Sequence, residues 1–475
     1  MWRTGPRHDT IAFMDDNTTK RILGFPDEFW IAFVIMVGFF LKIIFDVSTG
    51  YNFQARNLGI WTYLEPGQAH EGTLGVIQYL FENHRFPDFD PRTVSGFESP
   101  PLYHIFCALF LDIFHRAAGW KIGTCLHTLQ CFNAIFVTAG SLCEIGILRK
   151  CGLAGRELVA SILFMTFFPA FYIMGASFSQ EAMCFMFCTI ALNNAITWYR
   201  TKELKHITRT AVFFGLGMST SYAASAILPA ILSVMILAVR DKRFGRKSLK
   251  APYKKFFRAP FTRFFIIAGI GALWWPVYNL IRFGVPLFYR KFSYESWEML
   301  KGRYSIWMRI KIPSINEFSD MQIDSGGKYL YNIWAQTLKT AIFDYNAINM
   351  ELRATYIMAG LLLFMNILLC VLFHVMWIRS LMGHRMKREV KVFTGVGYLG
   401  ALIGYAVFCL RNPIVSAMNF CFIPTIILYP ITGMAICGAA GRNATGLDRI
   451  LTRVCNWVIV IFAVVAAFLF GYYAA

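Results

Sequence analysis

Charge is absent from long stretches of this 475-residue sequence, since many windows of about 20 residues contain no charged side chain. Hydrophobic residues make up 57% of the sequence and aromatic residues 17%. This apolar content is higher than that of a soluble domain. A helix of about 20 uncharged residues is long enough to cross about 30 Å of hydrocarbon. The composition therefore excludes a soluble globular chain and predicts an all-α polytopic membrane protein.

Metal-binding cysteine patterns and a cleavable leader are also lacking. The twelve cysteines include no Cys-x-x-Cys pair and none of the spacings of a zinc site, so we interpret most of them as packed small side chains. The first apolar run begins only near Phe29, is long enough to span, and lacks an obvious small-residue cleavage site. We expect it to be an uncleaved first helix.

The formal charge of +19 could suggest a nucleic-acid partner. However, about 29 of the 46 basic residues fall in connections assigned to the cytoplasmic side. Positive residues are retained on that side of membrane proteins, so the excess reflects topology and predicts no nucleic-acid binding.

Apolar segments of spanning length alternate with basic connections along the chain. The segment 210–239 is too long for one ordinary helix and is best divided into two short spans that meet near Ser221 to Ala224. The charge bias then predicts about eleven transmembrane helices, a cytoplasmic N-terminus and an outer C-terminus. The apolar segments are roughly 29–48, 124–148, 157–176, 180–199, 210–239, 263–283, 354–378, 392–410, 417–440 and 454–473.

Two loops of about seventy residues, 49–123 and 284–353, then face away from the cytoplasm. The chain divides into a cytoplasmic N-terminus (1–28), a transmembrane core (29–283) that includes the first outer loop, the second outer loop, and C-terminal transmembrane helices (354–475). We expect a multi-pass protein of the cell membrane. A bacterial cytoplasmic membrane fits the short inner loops, and the endoplasmic reticulum is an alternative.

The first outer loop contains two helical patterns. Apolar residues at helical spacing predict a surface helix over 72–82. The segment 101–120 is apolar but carries Asp112, His115 and Arg116, and letting it cross would place two basic clusters outside. We therefore predict an amphipathic or re-entrant helix on the outer face.

Asp46 is the leading candidate for chemistry because it ends the first span at the outer interface. A carboxylate at that depth stays partly desolvated and can serve as a general base, or as an acceptor for a metal or a sugar hydroxyl. The alternative is that Asp46 only caps the chain where it leaves the membrane.

Other acidic residues and histidines extend this candidate site. The turn 86–91 could place the carboxylates of Asp88 and Asp90 on one divalent cation, although Asp beside Pro is also plain turn chemistry. We assign possible catalytic assistance to Glu71 and Glu181. The candidate substrate-binding residues on this side are Glu65, His70, Glu98 and His104.

The second outer loop interleaves cations with aromatic residues. Such a strip can hold a lipid-linked phosphate through arginine and stack aromatic rings on sugar faces, or it can simply anchor at lipid headgroups. Lys42, inside the first span, is interpreted as snorkelling to the interface. The candidate phosphate-binding residues are Arg290, Arg303, Arg309 and Lys311.

Several stretches, in order, carry a resemblance to a known family. An Asp at the outer end of the first span is followed by GTLGVIQYLFENHRFPDFDP, FESPPLYHIFCALFL, FFPAFYIMGASFSQEAM, GLGMSTSYAAS, YNIWAQTLKTAIFDYN and SAMNFCFIP. This order resembles membrane glycosyltransferases of the C fold (GT-C), of the protein O-mannosyltransferase and aminoarabinose transferase kinds. The likeness runs from Phe29 to about Pro430.

The resemblance implies a helical bundle below an outer cavity, a polyprenyl-phosphate-linked sugar that enters from the bilayer, and Asp46 as the base that activates the acceptor. Four positions depart from the family pattern, two of them by losing a cation that would suit a phosphate. Ser99-Pro100-Pro101 stands for His-Pro-Pro, Gln180-Glu181 for Asn-Asp, Ser221 for Lys, and Cys421-Phe422 for Arg-Tyr.

Three functions follow from these observations. The first is a glycosyltransferase that moves a sugar from a polyprenyl phosphate to an acceptor on the extracytoplasmic face. The second, suggested by the missing cations, is a catalytically degenerate relative that binds the lipid-linked sugar or scaffolds a partner enzyme. The third, a transporter, is disfavoured because no inverted repeat is visible and charges within the spans are few.

The expected partners are the lipid-linked donor and membrane lipids, with a protein partner only for the degenerate relative. No cofactor is predicted, apart from the divalent cation that the turn at 86–91 could hold.

Overall fold

The computed structural model describes residues 21–22, 24–49, 72–94, 96–240, 252–289, 306–314, 332–343, 353–382, 387–411 and 446–474. Almost all of them are helical. A hairpin of two-residue strands, β1 (Arg21–Ile22) and β2 (Phe25–Pro26), precedes the first helix. The α-helices are α1 (Asp27–Ser48), α2 (Gly72–Asn83), α3 (Leu102–Leu111), α4 (Ile122–Cys151), α5 (Arg156–Thr166), α6 (Pro169–Ala176), α7 (Gln180–Thr201), α8 (Leu204–Thr220), α9 (Leu228–Arg240), α10 (Pro252–Phe283), α11 (Ile306–Ile310), α12 (Ile333–Phe343), α13 (Arg353–Met382), α14 (Arg388–Arg411) and α15 (Gly446–Ala474).

Seven described helices are long and apolar enough to cross a membrane, and a bent pair makes up to eight. They match predicted spans and confirm the all-α polytopic fold. The predicted span 417–440 lies outside the described residues, so the count of about eleven stays a prediction. The seven are α1, α4, α7, α10, α13, α14 and α15.

The bent pair corresponds to the single span predicted over 157–176. α5 ends at Thr166 and α6 begins at Pro169, with an angle of 46° between them. Proline is favoured in the first turn of a helix and lacks the N–H that would continue a preceding one, so the chain restarts there.

The division of 210–239 into two short helices is as predicted. α8 ends at Thr220, Ser221 is extended, and a 3₁₀ turn (Tyr222–Ile227) leads into α9. The Ser221 hydroxyl accepts a hydrogen bond from the Ala223 N–H at 3.3 Å, which satisfies a backbone group at the restart.

The basic clusters of several helices meet at one end of the bundle, here called the basic end. Arg149 at the end of α4 pairs with Glu28 at the start of α1, at 3.4 Å. The Arg200 guanidinium of α7 donates to the carbonyl of Lys150 in α4. Because these three helix ends lie together, α1 runs antiparallel to α4, as the predicted topology requires.

The helix predicted over 72–82 forms, but its predicted surface position is wrong. Nine residues of α2, from Gly72 to Phe81, are buried. α2 packs against α3, and Gly96 lies so close to Gly72 that a Cβ added at Gly96 would be 3.1 Å from the Gly72 backbone. The helical spacing of the apolar residues predicted the helix, but it could not show that other parts of the chain cover it.

The segment 101–120 forms α3 followed by a π-helical turn over 112–117, and it is not among the candidate spans. Leu109 and Ile113 on this segment are exposed. An interfacial position therefore stays the prediction for it.

The turn 86–92 of the first outer loop is fastened to α10. The Phe86 ring contacts the rings of Trp274, Trp275 and Tyr278, and the Tyr278 hydroxyl donates to the Pro87 carbonyl at 3.3 Å. The loop and the last three turns of α10 thus form one packed layer.

Candidate functional site

Asp46 lies in the last turn of α1, on the side that faces α3 and α4, and is 1% exposed. Within the described part of the chain, neither carboxylate oxygen has a hydrogen-bond partner. Tyr103 of α3 and Cys131 of α4 lie close enough to interact with it electrostatically. An unpaired buried carboxylate is costly, which is typical of groups kept for chemistry.

The alternative role of Asp46, a cap at the end of the helix, is wrong. Thr49 supplies the cap: its N–H and its hydroxyl donate to the Phe45 carbonyl at 3.0 and 2.8 Å. The Ser48 hydroxyl donates to the Ile44 carbonyl at 2.8 Å. The chain leaves the helix without help from the Asp46 side chain.

A network of amides orders the wall beside Asp46. The Asn133 side-chain amide of α4 donates to the Tyr103 hydroxyl at 2.9 Å and to the Ser177 carbonyl at 2.5 Å. The Gln130 amide donates to the Ala176 carbonyl at 2.6 Å. These two residues join α3 and the α6–α7 turn to α4. Gln130 and Asn133 were not identified from the sequence. Two amide side chains three residues apart in an apolar span lie on one face of the helix and indicate hydrogen bonds to a neighbouring helix.

The interpretation of Lys42 as a snorkelling side chain is wrong. Lys42 is 4% exposed, and its ammonium donates to the Thr166 carbonyl at 3.0 Å and lies 4.8 Å from the ring centroid of Tyr172. Thr166 is the last residue of α5, whose terminal carbonyls lose their helical partners at the break before α6. Lys42 therefore caps a broken helix.

Replacing Lys42 by Met should lower the free energy of unfolding by about 1 to 2 kcal/mol, because the Thr166 carbonyl would be buried without a donor. Lys42→Gln retains an amide donor and should lose less. Unfolding of both variants in mixed micelles measures the difference. Equal stability of the Met and Gln variants would show that the hydrogen bond is not what Lys42 contributes.

Glu181 and Ser221, two positions that depart from the family pattern, are in contact. The Ser221 hydroxyl donates to Glu181 Oε1 at 2.8 Å, and both residues are buried. The resemblance places an acid and a lysine at these positions. Here the acid accepts a hydrogen bond from a hydroxyl in place of an ion pair with a lysine.

Glu98 and His104 lie on the first outer loop. Glu98 Oε2 accepts from the Gly96 N–H at 2.9 Å, and Tyr222, next to Ser221, interacts electrostatically with Glu98. Glu98 therefore lies near Tyr222, the residue that follows Ser221. Burial lowers the pKa of His104 to about 3, so this histidine is neutral at physiological pH.

The turn 86–91 does not present two carboxylates to one cation. Asp90 forms a bidentate pair with Arg92, with a shortest distance of 2.5 Å, which lowers the pKa of Asp90. Asp88 pairs with Arg85 at 3.0 Å and accepts from the Tyr79 hydroxyl at 3.2 Å. Each aspartate is paired with an arginine of the same turn, so both carboxylates have a structural role in the turn. In the described ranges, no group of three or more His, Cys, Asp or Glu side chains is placed to hold a metal ion.

The second outer loop is described over 306–314. Arg309 is buried, whereas Trp307 and Ile312 are exposed, so this short stretch has an apolar outer side and a cation turned inward. The Lys311 carbonyl accepts from the Asn332 amide at 2.8 Å, which ties the stretch to the start of α12. The remaining predicted site residues lie outside the described residues: Glu65, His70, Glu71, Arg290 and Arg303.

No protein-family model matches the sequence. No curated protein matches it either.

Solved structures do match the fold. The archaeal oligosaccharyltransferase AglB from Archaeoglobus fulgidus, in complex with an inhibitory peptide and a dolichol-phosphate, superposes with a TM-score of 0.51 at 12% identity, over 94% of this chain and 56% of that chain. The A. fulgidus enzyme tethered to an acceptor peptide gives 0.50 at 11% identity, over 94% and 55%. The chain therefore spans about 56% of the length of the enzyme that it resembles.

ArnT from Cupriavidus metallidurans in the apo state matches over 91% of this chain and 78% of that chain, at 12% identity. Its TM-score of 0.37 is too low to bear on the fold.

Proposed function

We propose, from the C fold that this chain shares with membrane glycosyltransferases, that it transfers a sugar from a polyprenyl-phosphate-linked donor to an acceptor on the extracytoplasmic face. The observation that carries the proposal is the buried carboxylate of Asp46 without a hydrogen-bond partner among the described residues, at the end of α1 away from the basic end. AglB, which has this fold, was solved with a dolichol-phosphate, and that lipid phosphate supports the donor class.

In the proposed reaction, opening of the site lets water solvate Asp46 so that it ionises, and the carboxylate then takes the proton from the acceptor hydroxyl. The acceptor oxygen then forms a bond to the anomeric carbon, the bond from that carbon to the phosphate oxygen breaks, and the polyprenyl phosphate leaves with the electron pair. Glu71 or Glu181 assists, and Arg303 or Arg309 neutralises the phosphate that departs.

Access to Asp46 needs a conformational step. The carboxylate is 1% exposed, so the acceptor reaches it only when the elements that cover it separate. Closure over bound substrates is common in transferases because it excludes water from an activated sugar.

A second function rests on the Glu181–Ser221 contact. A hydroxyl at 2.8 Å from Glu181 replaces the lysine that the resemblance places there, so this position offers no cation to a phosphate. A degenerate relative would bind the lipid-linked sugar without consuming it, and could scaffold a partner enzyme.

The test is a transfer assay with the full chain in proteoliposomes that contain radiolabelled polyprenyl-phosphate hexose or pentose. We expect free polyprenyl phosphate to appear at the rate at which labelled product forms. Donor binding without turnover would favour the degenerate relative. Neither binding nor turnover with any donor would overturn both functions, and uptake of the sugar into the vesicle would favour a transporter.

A further inference from the structure

Another carboxyl group, that of Glu144, is buried within the bundle far from Asp46. Glu144 is on α4, 4% exposed, and about 20 Å further along that helix than Cys131, which neighbours Asp46. In the part of the chain that the structure describes, its Oε2 atom accepts no hydrogen bond and no ion pair includes it. An ionised carboxylate left this way inside a membrane span would be very costly. The environment therefore suits the protonated acid, which needs an acceptor for its hydroxyl.

A small cavity adjoins Glu144. Its volume is about 30 Å³, and its walls come from α4, α7, α9, α14 and the 3₁₀ turn before α9. Besides Glu144, the polar residues that line it are Thr394 and Tyr398 of α14. A cavity of this size holds one or two water molecules, and water enters only where two or more polar groups receive it.

Tyr398 leads from the cavity to a histidine. Its hydroxyl is hydrogen-bonded to Nε2 of His374 in α13, and Nδ1 of the same ring lies 2.7 Å from the Cys370 carbonyl. A carbonyl only accepts, so Nδ1 carries the hydrogen and Nε2 is the acceptor. The Tyr398 hydroxyl therefore donates to His374, and its oxygen is left to accept from the cavity side.

We propose that this cavity binds one or two internal water molecules that hydrogen-bond the protonated carboxyl group of Glu144 to the Tyr398 oxygen. The chain of hydrogen bonds then runs from Glu144 through water and Tyr398 to His374, and it joins α4 to α13 and α14 inside the membrane. This site is in the half of the bundle toward the basic end and does not depend on the glycosyltransferase proposal.

Infrared difference spectroscopy of the full chain in lipid nanodiscs tests the proposal, with H₂O exchanged for D₂O and for H₂¹⁸O. Wild type should show the carbonyl stretch of a hydrogen-bonded carboxylic acid, and Glu144→Gln should remove it. It should also show a water O–H stretch that shifts in H₂¹⁸O and is lost in the same variant. Gln has nearly the shape of a protonated Glu, so the variant should fold.

Tyr398→Phe should move the Glu144 carbonyl band to higher wavenumber, because the acid loses its acceptor chain. Tyr405→Phe is the matched control: it removes a hydroxyl two turns away on α14 that bonds to Thr337 instead, and the band should not move. If the wild-type minus Glu144→Gln difference spectrum contains no carboxylic-acid band, or if that band does not move in Tyr398→Phe, the proposal is overturned. If the Glu144 carbonyl band moves in Tyr398→Phe but no water O–H stretch shifts in H₂¹⁸O, Glu144 contacts Tyr398 directly and the bound water is refuted.

Discussion

Replacing Asp46 by Asn should lower sugar transfer by at least about 10²-fold, because a general base contributes roughly 10² to 10⁴ to the rate and an amide cannot take the acceptor's proton. Folding should be retained. Asn has nearly the volume of Asp, and the carboxylate oxygens make no hydrogen bond to other described residues that the change would break. Release of polyprenyl phosphate in proteoliposomes measures the effect, and donor binding should stay close to that of wild type.

Asp112→Asn is the matched control. Asp112 is an acid of the same outer loop that pairs with Arg116 at 2.9 Å and is partly exposed. Losing this pair should cost at most about 1 kcal/mol of stability and should leave turnover unchanged. Wild-type turnover in Asp46→Asn would remove this residue from the mechanism, and equal losses in both variants would indicate a general effect on the loop.

Replacing Gly271 by Ala should lower the free energy of unfolding by about 2 to 3 kcal/mol, the upper part of the range for an overpacked core. α8 and α10 cross at Gly215 and Gly271, and a Cβ added at Gly271 would lie 2.6 Å from the Gly215 Cα. That neighbour is backbone, so the two helices would have to move apart. The separation would also stretch the bond from the Ser219 hydroxyl to the Gly271 carbonyl, at 2.7 Å.

The same helix supplies the control. A Cβ added at Gly269, two residues away, meets no described atom within 4 Å. Gly269→Ala should therefore be neutral, or stabilise by up to about 1 kcal/mol through helix propensity. Unfolding in mixed micelles should separate the two variants in sign. Similar shifts would mean that close approach of the helices is not what Gly271 provides.

The spans could be predicted from the sequence because hydropathy and length are local properties. The restart at Ser221 was predictable for the same reason, since a segment of the length of 210–239 fits neither one nor two ordinary helices. The break between α5 and α6 was missed. Pro169 indicates a break in the helix, but the apolar segment has the length of one span and was therefore predicted as one continuous helix.

Contacts between distant residues could not be predicted. Lys42 caps a carbonyl 124 residues further along the chain, and the Ser221 hydroxyl meets Glu181 across 40 residues. Each side chain alone indicated only an expensive polar group in a span. Its partner depends on how the helices pack. For the same reason Asp46 was identified as a candidate from its position, while its enclosure by α3 and α4 was not foreseen.

The attachment of the turn 86–92 to α10 has a mechanical consequence. A rigid displacement of the first outer loop would have to carry the outer part of α10, because three aromatic rings of that helix hold Phe86. In the last turn of α1, by contrast, the Ile44 and Val47 side chains are exposed, so this side of the helix is not packed against other described helices. We therefore expect a movement of α1 to uncover Asp46, and a crosslink that fixes α1 to α4 should prevent substrates from reaching the carboxylate.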